Sequence, residues 1–188
     1  TGTTENHHVQ GYLEVWDAVI AHNPHIAIDS CASGGRRNDL ETMRRSVPLH
    51  KTDNDYRNHE YKQAMHHTLF AWFPIFGANY FYQPIEDEYG MKTAFAPWLI
   101  WFNAYEDQTD YAMLRQYERQ WRQIGGYFLD DYYRLTPWSY DVTSWIGWQF
   151  FNEEKEEGMI ALYRRPENRE TEKILQLRGL DAGKRYRL

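Results

Sequence analysis

Apolar positions recur at three- and four-residue intervals over the first part of the chain. Between Gln10 and His22 they are Tyr12, Leu13, Val15, Trp16, Val19 and Ile20, which predicts an amphipathic helix. Asn23-Pro24 stops it, because the residue before proline avoids the α region. Ile26–Ile28 is then a short apolar β run. After Gly34-Gly35 a short helix is expected, capped by Asn38 with Glu41 completing a capping box and with Leu40 and Met43 facing inward. Val47-Pro48-Leu49 reads as the next strand, with proline at its start or edge. From Tyr56 to Phe73, the positions Tyr61, Met65, Leu69 and Trp72 mark another helix face. Strand followed by helix, twice over, predicts a parallel sheet, either open or closed into a barrel.

The pattern continues with Ile75–Gln83, aromatic and extended, and a turn or loop at Glu86–Gly90. Phe95, Trp98, Leu99, Phe102 and Tyr105 have helical spacing. Thr109 is placed to cap a further helix, with the stripe Leu114, Tyr117, Trp121 and Ile124 and Gly125-Gly126 as its C-cap. Beyond Gly126 the period shortens. Tyr127–Leu135, Trp145–Phe151, Met159–Arg164, Ile174–Leu177 and Tyr186–Leu188 read as short strands of an antiparallel β domain. The expected fold is therefore α/β followed by all-β, with the change near residues 107–126.

Composition adds three constraints. With 42% hydrophobic and 26% charged residues, a chain of 188 residues is expected to be globular. Its aromatic content is high, 17%, with eight Trp and fifteen Tyr. Aromatics build cores, and they also line sugar-binding clefts, so both uses are carried forward. A net charge of −6 without a basic run argues against nucleic-acid binding. No apolar stretch approaches the roughly 20 residues of a membrane span. The single cysteine, Cys31, excludes an internal disulfide and a cysteine-rich zinc site. It leaves the compartment open, with the cytoplasm favoured, and a homo-oligomer is allowed. The chain opens Thr-Gly-Thr-Thr-Glu without a methionine and closes on Lys184–Leu188, a strand in progress, as an excerpt of a longer protein would.

The candidate chemistry lies at two successive strand ends. The first carries Ile26-Ala-Ile-Asp-Ser-Cys31-Ala-Ser-Gly34-Gly-Arg-Arg37-Asn-Asp39, and the second Val47-Pro-Leu-His50-Lys-Thr-Asp53-Asn-Asp55. In α/β folds, ligand-contacting groups cluster at the carboxyl ends of strands. The glycines lack the spacing of a phosphate-binding loop. Cys31 reads either as a nucleophile with His50 as its base, or as a buried small residue beside a tight turn.

The order Cys31-Ala-Ser-Gly-Gly-Arg-Arg37-Asn-Asp39, then Val47-Pro48, then Lys51-Thr-Asp53, resembles glycoside hydrolase family 36, the retaining α-galactosidases. That family carries Cys-Ser-Gly-Gly-Gly-Gly-Arg-x-Asp at one strand end, and Ser-Asp-Asp-Thr-Asp with the acid/base aspartate on the next. Arg37 and Asp39 fall at the family's Arg and Asp, and Asp53 at the first Asp of the second motif. Trp145-Ile-Gly-Trp-Gln149, Ala161-Leu-Tyr-Arg-Arg165 and Leu177-Arg-Gly-Leu-Asp181 are similar to its C-terminal antiparallel domain.

The resemblance implies the C-terminal portion of a (β/α)8 TIM barrel over residues 1–108, a connecting helix over 109–126, and a partial antiparallel β-sandwich over 127–188. It implies two-step retaining hydrolysis of terminal α-galactosides without a cofactor or metal, with Asp53 as general acid/base. Cys31 and Gly34 match positions lining the galactose pocket, and a glycine there lets backbone approach the sugar. Arg37 and Asp55 are further candidates for substrate contact. Asp55 also competes with Asp53 for the acid/base role and fits the N-cap of the helix that follows. Asp53 is preferred on register.

Departures from the pattern matter. The family's nucleophile sits in a Lys-x-Asp segment that would lie upstream of Thr1, and neither Asp17 nor Asp29 is a convincing replacement. Ala32-Ser33 and Arg36 interrupt the glycine run, and Asn54-Asp55-Tyr56 stands in place of Asp-Thr-Asp. The identity of the sugar is therefore open, with an α-N-acetylgalactosaminidase or related α-glycosidase as an alternative. The rival of another class is a noncatalytic carbohydrate-binding protein using the aromatic β domain. A histidine metal site is disfavoured, because of His7, His8, His59, His66 and His67 only His59 and His66 share a helix face. Trp98, Trp101, Trp145 and Trp148 are expected in the core rather than as sugar platforms.

Overall fold

The computed structural model describes residues 1–31, 35–53, 58–81, 88–102 and 110–188. Its helices are α1 (Gly2–His22), α2 (Leu40–Met43), α3 (His59–Leu69), α4 (Glu88–Thr93) and α5 (Tyr111–Ile124), the last continuing into a 3-10 turn at Gly125–Leu129. The strands are β1 (Gly77–Phe81), β2 (Trp98–Phe102), β3 (Asp131–Arg134), β4 (Trp145–Asn152) and β5 (Glu157–Arg164). They form a parallel pair, β1–β2, and an antiparallel sheet in the order β3-β4-β5.

The parallel part is wider than its two named strands. Asp29 and Val47 form a parallel bridge, with Ser30 N–H donating to the Val47 carbonyl and Val47 N–H to that of Ile28. Gly77 N–H in turn donates to the Pro48 carbonyl at 3.1 Å. Four extended segments, 28–30, 47–49, β1 and β2, thus lie side by side in chain order, with α2, α3 and α4 in the connections. The expected strands at Ile26–Ile28 and Val47–Leu49 are reduced to this bridge. Proline contributes no donor to a ladder, and the chain turns directly beyond Leu49.

Several local expectations are corrected. Asp39, not Asn38, caps α2: its carboxylate accepts from Thr42 N–H at 3.0 Å and from the Thr42 hydroxyl at 2.8 Å. The register moves by one residue, so Thr42 turns inward and Leu40 is 68% exposed. Asn58, rather than Asp55, caps α3, accepting from Tyr61 N–H. Of the turn or loop expected at Glu86–Gly90, Glu88–Gly90 instead opens α4, and Glu86 and Asp87 lie outside the described residues. Trp98–Phe102 is a strand rather than a helix, because it pairs with β1 along its whole length. Asp110 caps α5 through two backbone N–H groups; Thr109 lies outside the described residues. Gly125 is the C-cap of α5, as expected, and its right-handed conformation carries the chain on into the 3-10 turn.

The face of α3 differs most from its pattern. Tyr61 and Trp72 are exposed, whereas Lys62, Gln63, Ala64, His66, His67 and Leu69 are buried. The helix lies between the parallel segments and the antiparallel sheet, so polar side chains turn inward too, each requiring partners. Lys62 Nζ donates to the Asn79 carbonyl at 2.5 Å, and His67 Nε2 pairs with the Thr136 carbonyl at 2.9 Å. α1 is the opposite case. It buries no residue, and Val15 and Val19 of its apolar stripe are exposed. Charged contacts attach it: Arg45 grips both Asp17 oxygens, and the Arg37 guanidinium lies 4.6 Å over the Tyr12 ring.

A single apolar core runs from α3 and β1 through α4 and α5 to β4 and β5. Phe70 is its hub. It stacks on Phe128 and lies edge-on to Phe150, with Phe76 and Trp148 closing the nest. Trp148 is 1% exposed, but Trp98 is 54% exposed, so the tryptophans divide between core and surface. The expected strands Ile174–Leu177 and Tyr186–Leu188 do not form among the described residues. Ile174 is 97% exposed, and the Gln149 side-chain amide, rather than a strand, pairs with Arg178 N–H and C=O.

Candidate active site

Asp53 lies beyond the carboxyl end of the second extended segment, past the bend at Leu49 and His50. Its side chain is 57% exposed, open to an incoming molecule, and its Oδ1 lies 2.9 Å from His50 Nε2. The other ring nitrogen of His50, Nδ1, lies 2.9 Å from the Asn79 side-chain amide on β1. Asn79 is buried, and its backbone carbonyl is the one that Lys62 caps. The carboxylate is thereby linked through an imidazole to the interior of the parallel pair.

The geometry beneath these groups depends on two lysines. The Gly77 and Asn79 carbonyls project from the same edge of β1, as alternate residues of a strand must. Beyond Pro48 the neighbouring chain no longer runs alongside to supply N–H groups. Lys51 Nζ reaches the Gly77 carbonyl at 2.9 Å, and Lys62 Nζ the Asn79 carbonyl. Both ammonium groups are essentially excluded from water. A buried backbone carbonyl without a donor is costly, and here side-chain cations serve in place of a strand.

His66 packs beside them, wholly buried, and neither ring nitrogen has a hydrogen-bond partner among the described residues. Burial pushes its pKa well below the ordinary histidine range, and the neighbouring Lys51 and Lys62 charges push it further. It is a neutral ring packed against Phe70 and Phe76.

Gly35 returns the first loop to this region. Its φ is +85°, and a Cβ there would collide with the Lys51 carbonyl. Only glycine permits that approach. Asn38 Nδ2 donates to the same carbonyl at 3.4 Å.

The proposed site residues therefore fare differently. Asp53 lies past the bend that follows the second extended segment, with His50 against it. Cys31 is an exposed free thiol at the end of the first segment. Arg37 turns to α1, donating to the Tyr12 hydroxyl at 3.3 Å. Gly34 and Asp55 lie outside the described residues. Asp29 has a local role, accepting from Leu49 N–H at 3.1 Å and so holding the two segments together. Asn79, Lys51 and Lys62 were not singled out from the sequence. Asn79 had a legible signal, an asparagine at the centre of the apolar run Gly77–Phe81, where that residue is disfavoured.

Two other features are set apart from this cluster. An apolar cleft of about 320 Å³ lies between α5 and β5, lined by residues such as Phe95, Ile124, Phe128 and Met159. It contains no carboxylate, imidazole or thiol, and it is a packing gap distant in character from Asp53. Among the described residues no group of three or more His, Cys, Asp or Glu could hold a metal ion. No helix among them is long and apolar enough to cross a membrane. Comparison with family models, curated proteins and solved structures gives no significant match.

Proposed function

We propose that this chain is part of a retaining α-galactosidase-like glycoside hydrolase in which Asp53 is the general acid/base. The observation that carries the reading is the position of Asp53: a half-exposed carboxylate just beyond the carboxyl end of an extended segment, paired with His50 and in the register of the family 36 motif that begins at Cys31. The two parallel pairings, Asp29–Val47 and β1–β2, linked by the Gly77–Pro48 hydrogen bond, are compatible with one arc of a (β/α)8 barrel, in which catalytic groups lie at the carboxyl ends of the strands. The β3-β4-β5 sheet would then begin the C-terminal sandwich. The substrate class is a terminal α-galactoside. Cys31 at the neighbouring segment end is positioned to border the sugar, and Arg37, engaged with Tyr12, is less suited to contact it.

In this reading Asp53 protonates the glycosidic oxygen as the C1–O bond breaks, then removes a proton from the water that displaces the enzyme. The nucleophile is a carboxylate on a segment not included in residues 1–188. The test is Asp53→Asn in the natural polypeptide that carries this sequence. Hydrolysis of alkyl α-galactosides, whose leaving groups need a proton, should fall by about 10²- to 10⁴-fold while galactose binding persists. Undiminished hydrolysis would remove Asp53 from the mechanism. Galactose binding with no hydrolysis by the unmodified polypeptide would favour the noncatalytic carbohydrate-binding alternative.

A further inference from the structure

We propose that His50 and Asn79 are positioning residues for Asp53, the amide fixing the imidazole and the imidazole fixing one carboxylate oxygen. The proposal rests on the reading of Asp53 as the acid/base and assigns it a supporting shell.

The chain of contacts runs from the rigid interior to solvent. Asn79 is 1% exposed, the His50 side chain 12% and the Asp53 side chain 57%. Asn79 is anchored in β1, whose backbone pairs with β2 and whose edge is capped by Lys62. Its Nδ2 can only donate, so His50 Nδ1 must accept at 2.9 Å. A neutral imidazole with Nδ1 as acceptor carries its proton on Nε2. That N–H is directed at Asp53 Oδ1, also at 2.9 Å.

The arrangement separates the two carboxyl oxygens by function. Oδ1 is held by the imidazole, whereas Oδ2 has no hydrogen-bond partner among the described residues and is free to exchange a proton with the substrate. In the first step the Oδ2–H bond breaks and its proton joins the glycosidic oxygen, which takes the electron pair of the departing C1–O bond as the nucleophilic carboxylate bonds to C1. In the second step Oδ2 takes a proton from water as the water oxygen bonds to C1 and the bond from C1 to the nucleophilic carboxylate breaks, its electron pair returning to that carboxylate. His50 keeps its Nε2 proton throughout. Its contribution is to stop the carboxyl group from rotating about its last torsion, so that Oδ2 faces the bond being broken. Without it, a short aspartate more than half exposed samples several orientations.

The test compares His50→Ala and His50→Gln in the natural polypeptide, using an alkyl α-galactoside and a dinitrophenyl α-galactoside. His50→Ala should lower kcat on the alkyl substrate by about tenfold or more, with KM little changed, and should affect the dinitrophenyl substrate far less, since that leaving group needs no proton. His50→Gln should recover most of the loss, because its side-chain N–H can reach the same oxygen. Equal losses on both substrates without rescue by Gln would indicate a merely structural histidine and overturn the proposal. If Asp53→Asn leaves hydrolysis intact, the acid/base reading fails and the positioning role falls with it. If Asp53→Asn abolishes hydrolysis but His50→Ala does not separate the substrates, the positioning role alone fails. A readout independent of turnover is nitrogen NMR of the imidazole in this chain: protonated Nε2 and unprotonated Nδ1 are expected, and a proton on Nδ1 overturns the assignment.

Discussion

Arg165 and Gln63 lie 102 positions apart in sequence, yet the guanidinium Nε donates to the Gln63 side-chain oxygen at 3.2 Å. Gln63 passes the connection on, its amide donating to the Tyr89 hydroxyl at 2.7 Å and to Thr93 Oγ1 at 3.1 Å. The rest of the guanidinium is satisfied by the Asp141 and Glu60 carbonyls and the Ser144 hydroxyl. The end of β5, α3 and α4 are thereby joined by one buried polar group. Burial lowers the pKa of Arg165, but an arginine stays charged.

Removing this group should therefore loosen the antiparallel sheet from α3. Arg165→Ala leaves a buried amide and two carbonyls short of donors, and a loss of about 3 kcal/mol or more is expected. Arg165→Lys, which cannot reproduce the fork, should recover only part of it. Urea denaturation of the chain and the two variants checks this. A change within about 0.5 kcal/mol for Arg165→Ala would show that the network carries little.

Acid should destabilise the protein in a defined window. Burial, reinforced by Lys51 and Lys62, lowers the His66 pKa; burial also lowers that of His67, opposed by its bond to the Thr136 carbonyl and assisted by Arg134 and Arg165. Above the unfolded value near 6.5 both states hold a neutral ring, and the shifts cost nothing. As pH falls below it, the unfolded chain takes up protons that the folded chain refuses, so stability declines by about 1.4 kcal/mol per pH unit for each imidazole. The decline continues until the folded pKa is reached. Thermal melts between pH 7.5 and 5 should show it, and His66→Leu should reduce the slope by about one proton. An unchanged slope in that variant would contradict the assignment.

Gly35 should be intolerant of any side chain. With φ at +85° and the Lys51 carbonyl against its Cα, Gly35→Ala is both strained and obstructed, at a cost of about 2 kcal/mol or more. Gly126, with nothing within 4 Å of a built Cβ, is the control. Gly126→Ala should lie within about 0.5 kcal/mol of the parent. Similar stabilities for the two variants would mean that the first loop does not bear on Lys51.

α1 should be the element most sensitive to salt. It buries no side chain, and its contacts with the rest of the chain include the Asp17–Arg45 pair and the Arg37–Tyr12 stack. Exposed charge pairs weaken as ionic strength rises. Hydrogen exchange of the α1 amides should accelerate at 1 M salt or in Asp17→Asn, with β4 unaffected. Uniform exchange across α1 and β4 under both conditions would argue against an electrostatic attachment.

How far the sequence foretells this structure depends on what surrounds each element. The α5 stripe Leu114, Tyr117, Trp121 and Ile124 was legible, because one face meets the core and the other meets water. β4 and β5 were legible from their short apolar runs and the turn between them. Trp98–Phe102 was misread as helix because its apolar spacing fits both periods, and the parallel partner that decides the matter lies 21 residues earlier, as in Gly77 opposite Trp98. α3 was misread because periodicity counts Lys62, Gln63, His66 and His67 as outward, while their burial depends on distant carbonyls and on Arg165. At the candidate site, Asp53 came from motif register. Asn79 and the two lysines are defined only by three-dimensional neighbours.

The two lysine caps on β1 have a mechanical consequence. Lys51 belongs to the stretch that bears Asp53, and Lys62 to the helix that follows it, yet both take their positions from carbonyls of one strand two residues apart. Asn79 measures from that strand as well. β1 is therefore a common ruler for Asp53, its imidazole and the next helix. A slip of one residue in its pairing with β2 would turn both carbonyls to the wrong edge, and would carry all three groups out of alignment together.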